Sequence, residues 1–308
     1  MVSDRMIITL PTNGPFALAE KADYARWRDR RLASYPFNIQ SFFVYISDPI
    51  RPTDKELDCA RSIVQRTNFF LYRTRQNALS GRETAQALAR AFGFHRLDSN
   101  PMADDDGLTQ VTLREAGPAT RYIPYTDRPI QWHTDGYYNA PDRRIRGFLL
   151  HCEARAAEGG ENFLMDPEIA YILLRERDPA LVKALFHPEA MTIPANEEEG
   201  RGPSVGPVFS IDPASGALHM RYTARTRSIA WHETTRAAAA ALVQILDDPA
   251  SPYVVRYRFE PGEGIVCNNV LHGRTGFVDA AESRRLVWRA RSYDRITTNP
   301  QGETRGAL

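Results

Sequence analysis

The hexapeptide Gln131-Trp132-His133-Thr134-Asp135-Gly136 holds an imidazole and a carboxylate two positions apart. On a β-strand, side chains two apart share a face. His133 and Asp135 can then occupy adjacent coordination positions on one metal ion. The triplet alone carries little weight, because most histidines near an aspartate only form hydrogen bonds. A third donor strengthens it. Asn268-Asn269-Val270-Leu271-His272-Gly273-Arg274 follows the predicted strand Gly264–Cys267 and places His272 where that strand leaves its sheet. Two histidines and one carboxylate, with coordination positions left open, form the donor set of non-haem Fe(II) oxygenases. With seven histidines in the chain, the choice of His272 needs an independent feature.

The run Arg284–Tyr293 (RRLVWRARSY) supplies one. As a strand it puts Arg285, Val287, Arg289 and Arg291 on one face and Leu286, Trp288 and Ala290 on the other. A solvated arginine face is one reading. If Leu286 and Trp288 instead meet a covering helix, Arg285 and Arg289 point inward. Buried guanidinium groups need anions and bind carboxylates in a forked, bidentate manner. A dicarboxylate chelating the metal by one end needs such an anchor at its far end.

At these residues the chain resembles the TauD/TfdA family of Fe(II)/2-oxoglutarate-dependent dioxygenases, with similarity to its γ-butyrobetaine hydroxylase branch around Asn269–Gly273 (NVLHG). The family pattern is His-x-Asp, a distant His and then an Arg. It is matched by His133, Asp135, His272 and Arg285. Gly159-Gly160-Glu161-Asn162 and Ala89–Gly93 (ARAFG) add to the likeness, which spans about residues 80 to 295. It implies a double-stranded β-helix, or jelly roll, with His133, Asp135 and His272 binding Fe(II). It implies 2-oxoglutarate and O2 as co-substrates, with Arg285 on the 5-carboxylate and Asn162, in place of a threonine, beside it. In the taurine branch the position of Arg289 meets the substrate's anion. The expected reaction is hydroxylation of a small anionic or zwitterionic molecule, yielding succinate and CO2.

The elements that must position these residues follow from local pattern. Ser41–Ile46 reads as a buried strand. Thr53/Glu56 and Ser80/Glu83 are capping boxes that open helices running to about Phe69 and to Phe92, the second stopping at Gly93. From Leu108 onward short strand-like runs dominate, separated by turns and interrupted by helices at Pro167–Arg177 and Glu233–Asp247. Loops are expected at Ser99–Gly107, at Asp212–Gly216 and at Glu197–Ser204, the last a candidate lid. The fold expectation is mainly β with α insertions: a jelly-roll core over 106–308, with residues 1–105 packed on it.

Composition bounds the rest. The 308 residues carry 39 basic and 38 acidic side chains, a net charge of +1. That balance gives no electrostatic reason to expect nucleic acid or an anionic membrane as partner. Three widely spaced cysteines and no long apolar run point to a reducing, cytoplasmic setting. A small-molecule substrate is the expected partner, with a homodimer as the default assembly. Two other readings use the same three ligands: a zinc hydrolase and a non-catalytic jelly-roll ligand sensor.

Overall fold

The computed structural model describes residues 10–75, 79–99, 103–197, 200–213, 215–225 and 229–296. Within the three expected loops, residues 100–102, 198–199 and 214 lie outside that set. The chain is mainly β with several helices, and it divides into two compact units, neither a continuous stretch of sequence.

The unit built from residues 36–130, 143–164 and 255 onward contains a six-stranded sheet. Its strand order is Phe43–Ile46, Phe69–Thr74, Glu263–Cys267, Gly147–Ala154, Leu286–Ser292, Leu108–Thr112. The first two strands pair in parallel and the rest antiparallel. Helices Asp54–Thr67 and Gly81–Ala91 open on the two anticipated capping boxes. Thr53 accepts from the Glu56 N–H and Ser80 from the Glu83 N–H, and each glutamate reaches back to the cap. Asn68 ends the first helix in the left-handed conformation, and Gly93 follows the second at φ +86°.

The apolar faces of both helices bury one face of the sheet. Ala60, Ile63, Val64, Ala85 and Leu88 join Phe70, Tyr72, Leu149, Val266, Trp288 and Ala290 in one core. Trp288 therefore faces the helices. The alternation of the Leu286–Ser292 strand leaves Val287, Arg289 and Arg291 on the opposite face. Arg289 pairs with Leu150 across the strands, and Val287 pairs with Cys152. A bulge between Leu286 and Val287 offsets the start of that strand, so Arg285 lies outside the regular alternation.

A four-stranded sheet has the order Val255–Tyr257, Asn162–Met165, Leu271–Arg274, Ile130–His133. The Phe148 ring of the large sheet and the His272 ring of this one lie 4.4 Å apart. His272 sits inside this separate strand, not where the Glu263–Cys267 strand leaves its sheet.

The other unit includes helices Lys21–Ser34, Pro167–Arg177, Pro179–Leu185 and Arg236–Leu246. Phe16, Trp27, Tyr171 and Phe209 pack edge to face at its centre. Arg31 bridges Asp166 (2.5 Å) and Glu168 (3.0 Å) below that cluster. Among the described residues, no helix is long and apolar enough to cross a membrane.

Candidate metal and co-substrate site

The Gln131–Asp135 segment is fixed by its backbone. The Thr134 N–H donates to the Tyr222 carbonyl (3.0 Å), and the Ala224 N–H donates to the Trp132 carbonyl (2.8 Å). Thr134 is fully buried, and its hydroxyl accepts from the Tyr222 N–H (3.1 Å). Trp132 is buried and donates through Nε1 to Asp247 (3.2 Å). The strand ends at His133, and Asp135 opens a turn in which Gly136 takes φ +67°. Simple strand alternation is thus not what places Asp135 beside His133.

His133, Asp135 and His272 nonetheless come together. Each offers one ligand atom, and these atoms all lie within 4.8 Å of one another. The histidines share a second feature. Nδ1 of His133 lies 2.9 Å from the Gln131 carbonyl oxygen, and Nδ1 of His272 lies 3.0 Å from that of Val270. A carbonyl only accepts, so each Nδ1 carries a proton, and it is the neutral form of each ring that presents its lone pair at Nε2. Orientation of ligating histidines by backbone carbonyls is the support a metal centre requires. Two neutral imidazoles and a buried carboxylate suit a divalent first-row metal such as Fe(II).

Asn162 and Arg285 line one cavity, together with Cys152, Gly160, Phe259 and Val287. Arg285 is 6% exposed. Its backbone N–H donates to Asp279 (2.9 Å), but its guanidinium forms no ion pair among the described residues. Burial pushes this guanidinium below its ordinary pKa, with Cys152 and Asp279 partly opposing the shift. A buried cation facing a cavity without a carboxylate partner is the arrangement expected of an anion site. The Asn162 amide also donates to the Tyr257 carbonyl at 3.5 Å. Arg289 is half-buried on the same sheet face.

Other candidates fall outside the site. His151 faces the helices and lies 3.0 Å from the Tyr72 hydroxyl. Arg291 pairs with the buried Asp98, which also accepts from Arg143 (3.3 Å) and the Tyr293 hydroxyl (2.5 Å). Tyr137, by contrast, borders the site, its ring meeting that of His133 at 6.4 Å. Sequence reasoning missed Arg274. It lies two residues beyond His272 and is 3% exposed, and burial beside Arg285 drops its pKa to about 9. Its alternate spacing from His272 on one strand was the available signal.

The family described as taurine catabolism dioxygenase TauD, TfdA family matches residues 44–291. A uridine-5'-phosphate dioxygenase from Amycolatopsis sp is 32% identical over 171 residues, covering 52% of this chain and 59% of the relative. The match thus spans less than two thirds of that relative's length. One of the same name from Streptomyces sp is 28% identical over 200 residues, covering 61% of this chain and 70% of the relative. Among solved structures, AAD-2 in complex with Mn(II) and N-oxalylglycine superposes with a TM-score of 0.58 at 15% identity, covering 83% of this chain and 96% of that one. An asparagine oxygenase in complex with Fe(II), 2S,3S-3-hydroxyasparagine and succinate gives 0.55 at 14% identity, covering 82% and 93%. At these identities the structural likeness speaks for the fold.

Proposed function

Because the chain belongs to the TauD/TfdA dioxygenase family, we propose that it is an Fe(II)- and 2-oxoglutarate-dependent dioxygenase that hydroxylates a small anionic molecule. The observation that carries this reading is the convergence of His133, Asp135 and His272 with both imidazoles turned to present Nε2. We take the two larger sheets as the halves of a double-stranded β-helix.

On this reading His133, Asp135 and His272 hold Fe(II) and leave positions open for 2-oxoglutarate and O2. Bound iron supplies dioxygen activation coupled to decarboxylation of 2-oxoglutarate, with one oxygen atom going to succinate and the other to the substrate. Arg285 and Asn162 bind the 5-carboxylate in the cavity they share. The walls of that cavity, Cys152, Phe259 and Val287, keep water from the carboxylate and strengthen the charge-assisted bonds. Arg289 binds the substrate's anionic group. The names of the two uridine-5'-phosphate dioxygenases support an anionic substrate and make a nucleoside 5'-phosphate the first class to try.

The test is succinate release from 2-oxoglutarate in air with added Fe(II). It is screened over nucleoside monophosphates, carboxylates, sulfonates and betaines. Substrate-stimulated succinate formation is expected. Its absence across the screen, with Fe(II) and 2-oxoglutarate shown to bind, would remove the hydroxylase reading.

A further inference from the structure

Arg274 and Arg285 share one aromatic ring. The Arg274 guanidinium carbon lies 4.6 Å from the Phe277 ring centroid, and that of Arg285 lies 5.4 Å from it. Both side chains are buried, and a buried guanidinium needs an anion or a full set of acceptors. Arg274 has two acceptors: its Nη2 donates to the carbonyls of Thr126 (2.8 Å) and Arg128 (2.7 Å). Its Nε and Nη1 are buried and meet no acceptor among the described residues. Asp279, with Asp127 near Arg274, offsets the charge of the pair only in part. One Asp279 oxygen accepts from the Arg285 backbone N–H, and the other is buried without a donor. Two interior cations therefore lie against one ring, with neither in an ion pair among the described residues.

The cavity beside Arg285 is small and cationic, being lined by Asn162, Gly160 and Cys152 together with Arg155 and Arg258. We propose that Arg274 is a cation set behind the lining of the co-substrate pocket, which itself holds Arg155, Arg258 and Arg285. It stands behind Arg285, adds its charge to the field felt by the far carboxylate of 2-oxoglutarate, and fixes Phe277 beneath both guanidiniums. This inference rests on the 2-oxoglutarate-dependent reading above. The competing role for Arg274 is that of a staple, holding only the 126–128 segment to its strand.

The two roles separate by ligand. A charge acting on the far carboxylate matters only for acids that have one, whereas a staple affects every 2-oxo acid alike. The experiment is calorimetric titration of the Mn(II)-loaded, dioxygen-free protein with 2-oxoglutarate and with 2-oxobutyrate, which lacks the far carboxylate. In Arg274→Met, the Kd for 2-oxoglutarate should rise roughly tenfold, the scale of a unit charge several ångströms away at protein-like dielectric. The Kd for 2-oxobutyrate should move less than about twofold. Arg274→Lys, which keeps the charge, should bind 2-oxoglutarate within about threefold of the wild type. Equal weakening for both acids, or no weakening for either, would overturn the proposal. Should Arg274→Met not fold, Arg274→Gln takes its place with the same outcomes. A wild-type protein that bound neither acid would instead remove the co-substrate reading itself.

Discussion

Nδ1 of His151 lies 3.0 Å from the hydroxyl oxygen of Tyr72, and the two rings are parallel to within 2°. Both side chains are buried on the helix-facing side of the large sheet, and the Tyr72 hydroxyl also donates to the Leu150 carbonyl at 3.1 Å. Burial holds the pKa of the imidazole down at about 4. The unfolded chain takes up this proton near pH 6.5, and the folded one only near pH 4. Between those values the unfolded state binds more protons, so stability falls as pH drops through that window. A shift of this size corresponds to roughly 3 kcal/mol lost by pH 4. Denaturant unfolding at pH 7 and pH 4.5 should show a markedly smaller acid loss in His151→Gln than in the wild type. Parallel losses would assign the acid sensitivity elsewhere.

Removing either imidazole of the triad should abolish turnover without unfolding the chain. His133 is half-buried, and its carbonyl partner Gln131 is exposed, so His133→Ala leaves little cavity. His272 lies deeper, against Phe148, and its loss should lower Tm by a few degrees as well. Both variants should lose Fe(II)-dependent succinate formation by more than about 100-fold, since even supporting groups of a metal site are worth 10–100-fold. Inductively coupled plasma analysis of iron-reconstituted, desalted protein should show the metal lost in parallel. Wild-type iron content in His272→Ala would take it out of the ligand set.

Arg285 should govern co-substrate affinity. A hydrogen bond to a charged group contributes about 1.5–3 kcal/mol. Arg285→Met, which preserves volume beside Phe277, should therefore raise the KM for 2-oxoglutarate at least tenfold. Arg289→Ala should instead lose substrate-stimulated decarboxylation while the slow substrate-independent rate survives. If the two variants showed the reverse pattern, the roles of the arginines would have to be exchanged.

The metal ligands were legible in the sequence because their chemistry is local: a His-x-Asp triplet, a distant His and a following Arg. The reason first attached to the triplet was not. The strand stops at His133, and Asp135 is aimed by a turn and by the bonds of Thr134 and Trp132 to Tyr222 and Ala224, almost ninety residues away. For Arg274 the spacing from His272 was the one local signal, since its acceptors on Thr126 and Arg128 are brought near only by the sheet. The helix before the Phe69–Thr74 strand is expected to run to about Phe69 and the strand goes unread, because a short apolar run buried on both faces has no period to reveal it. Helix Lys21–Ser34 went unseen for the opposite reason. Its few apolar residues make no clear stripe, and it docks through aromatic edges and the buried Arg31.

Gly273 offers the sharpest steric test of how the histidine strands approach each other. It follows His272 directly, and a Cβ there would run into the Phe163 ring and sit 2.6 Å from the Ile130 carbonyl oxygen. Ile130 begins the strand that ends at His133, so the methyl would press on the backbone leading to the first ligand. The Phe163 ring is half-buried and can turn aside, but the carbonyl oxygen belongs to a sheet and cannot move alone. The backbone of Gly273 does not take a positive φ, so alanine is disfavoured only by this contact. Gly273→Ala should lower stability by about 1–3 kcal/mol, the cost of overpacking an ordered interior. It should also weaken Mn(II) binding more than a substitution of equal stability cost elsewhere, such as Ser80→Ala at a helix cap. Thermal unfolding followed by Mn(II) titration of both variants makes the comparison. Equal metal affinity in the two, at matched stability, would show that the spacing at Gly273 does not set the position of the ligands.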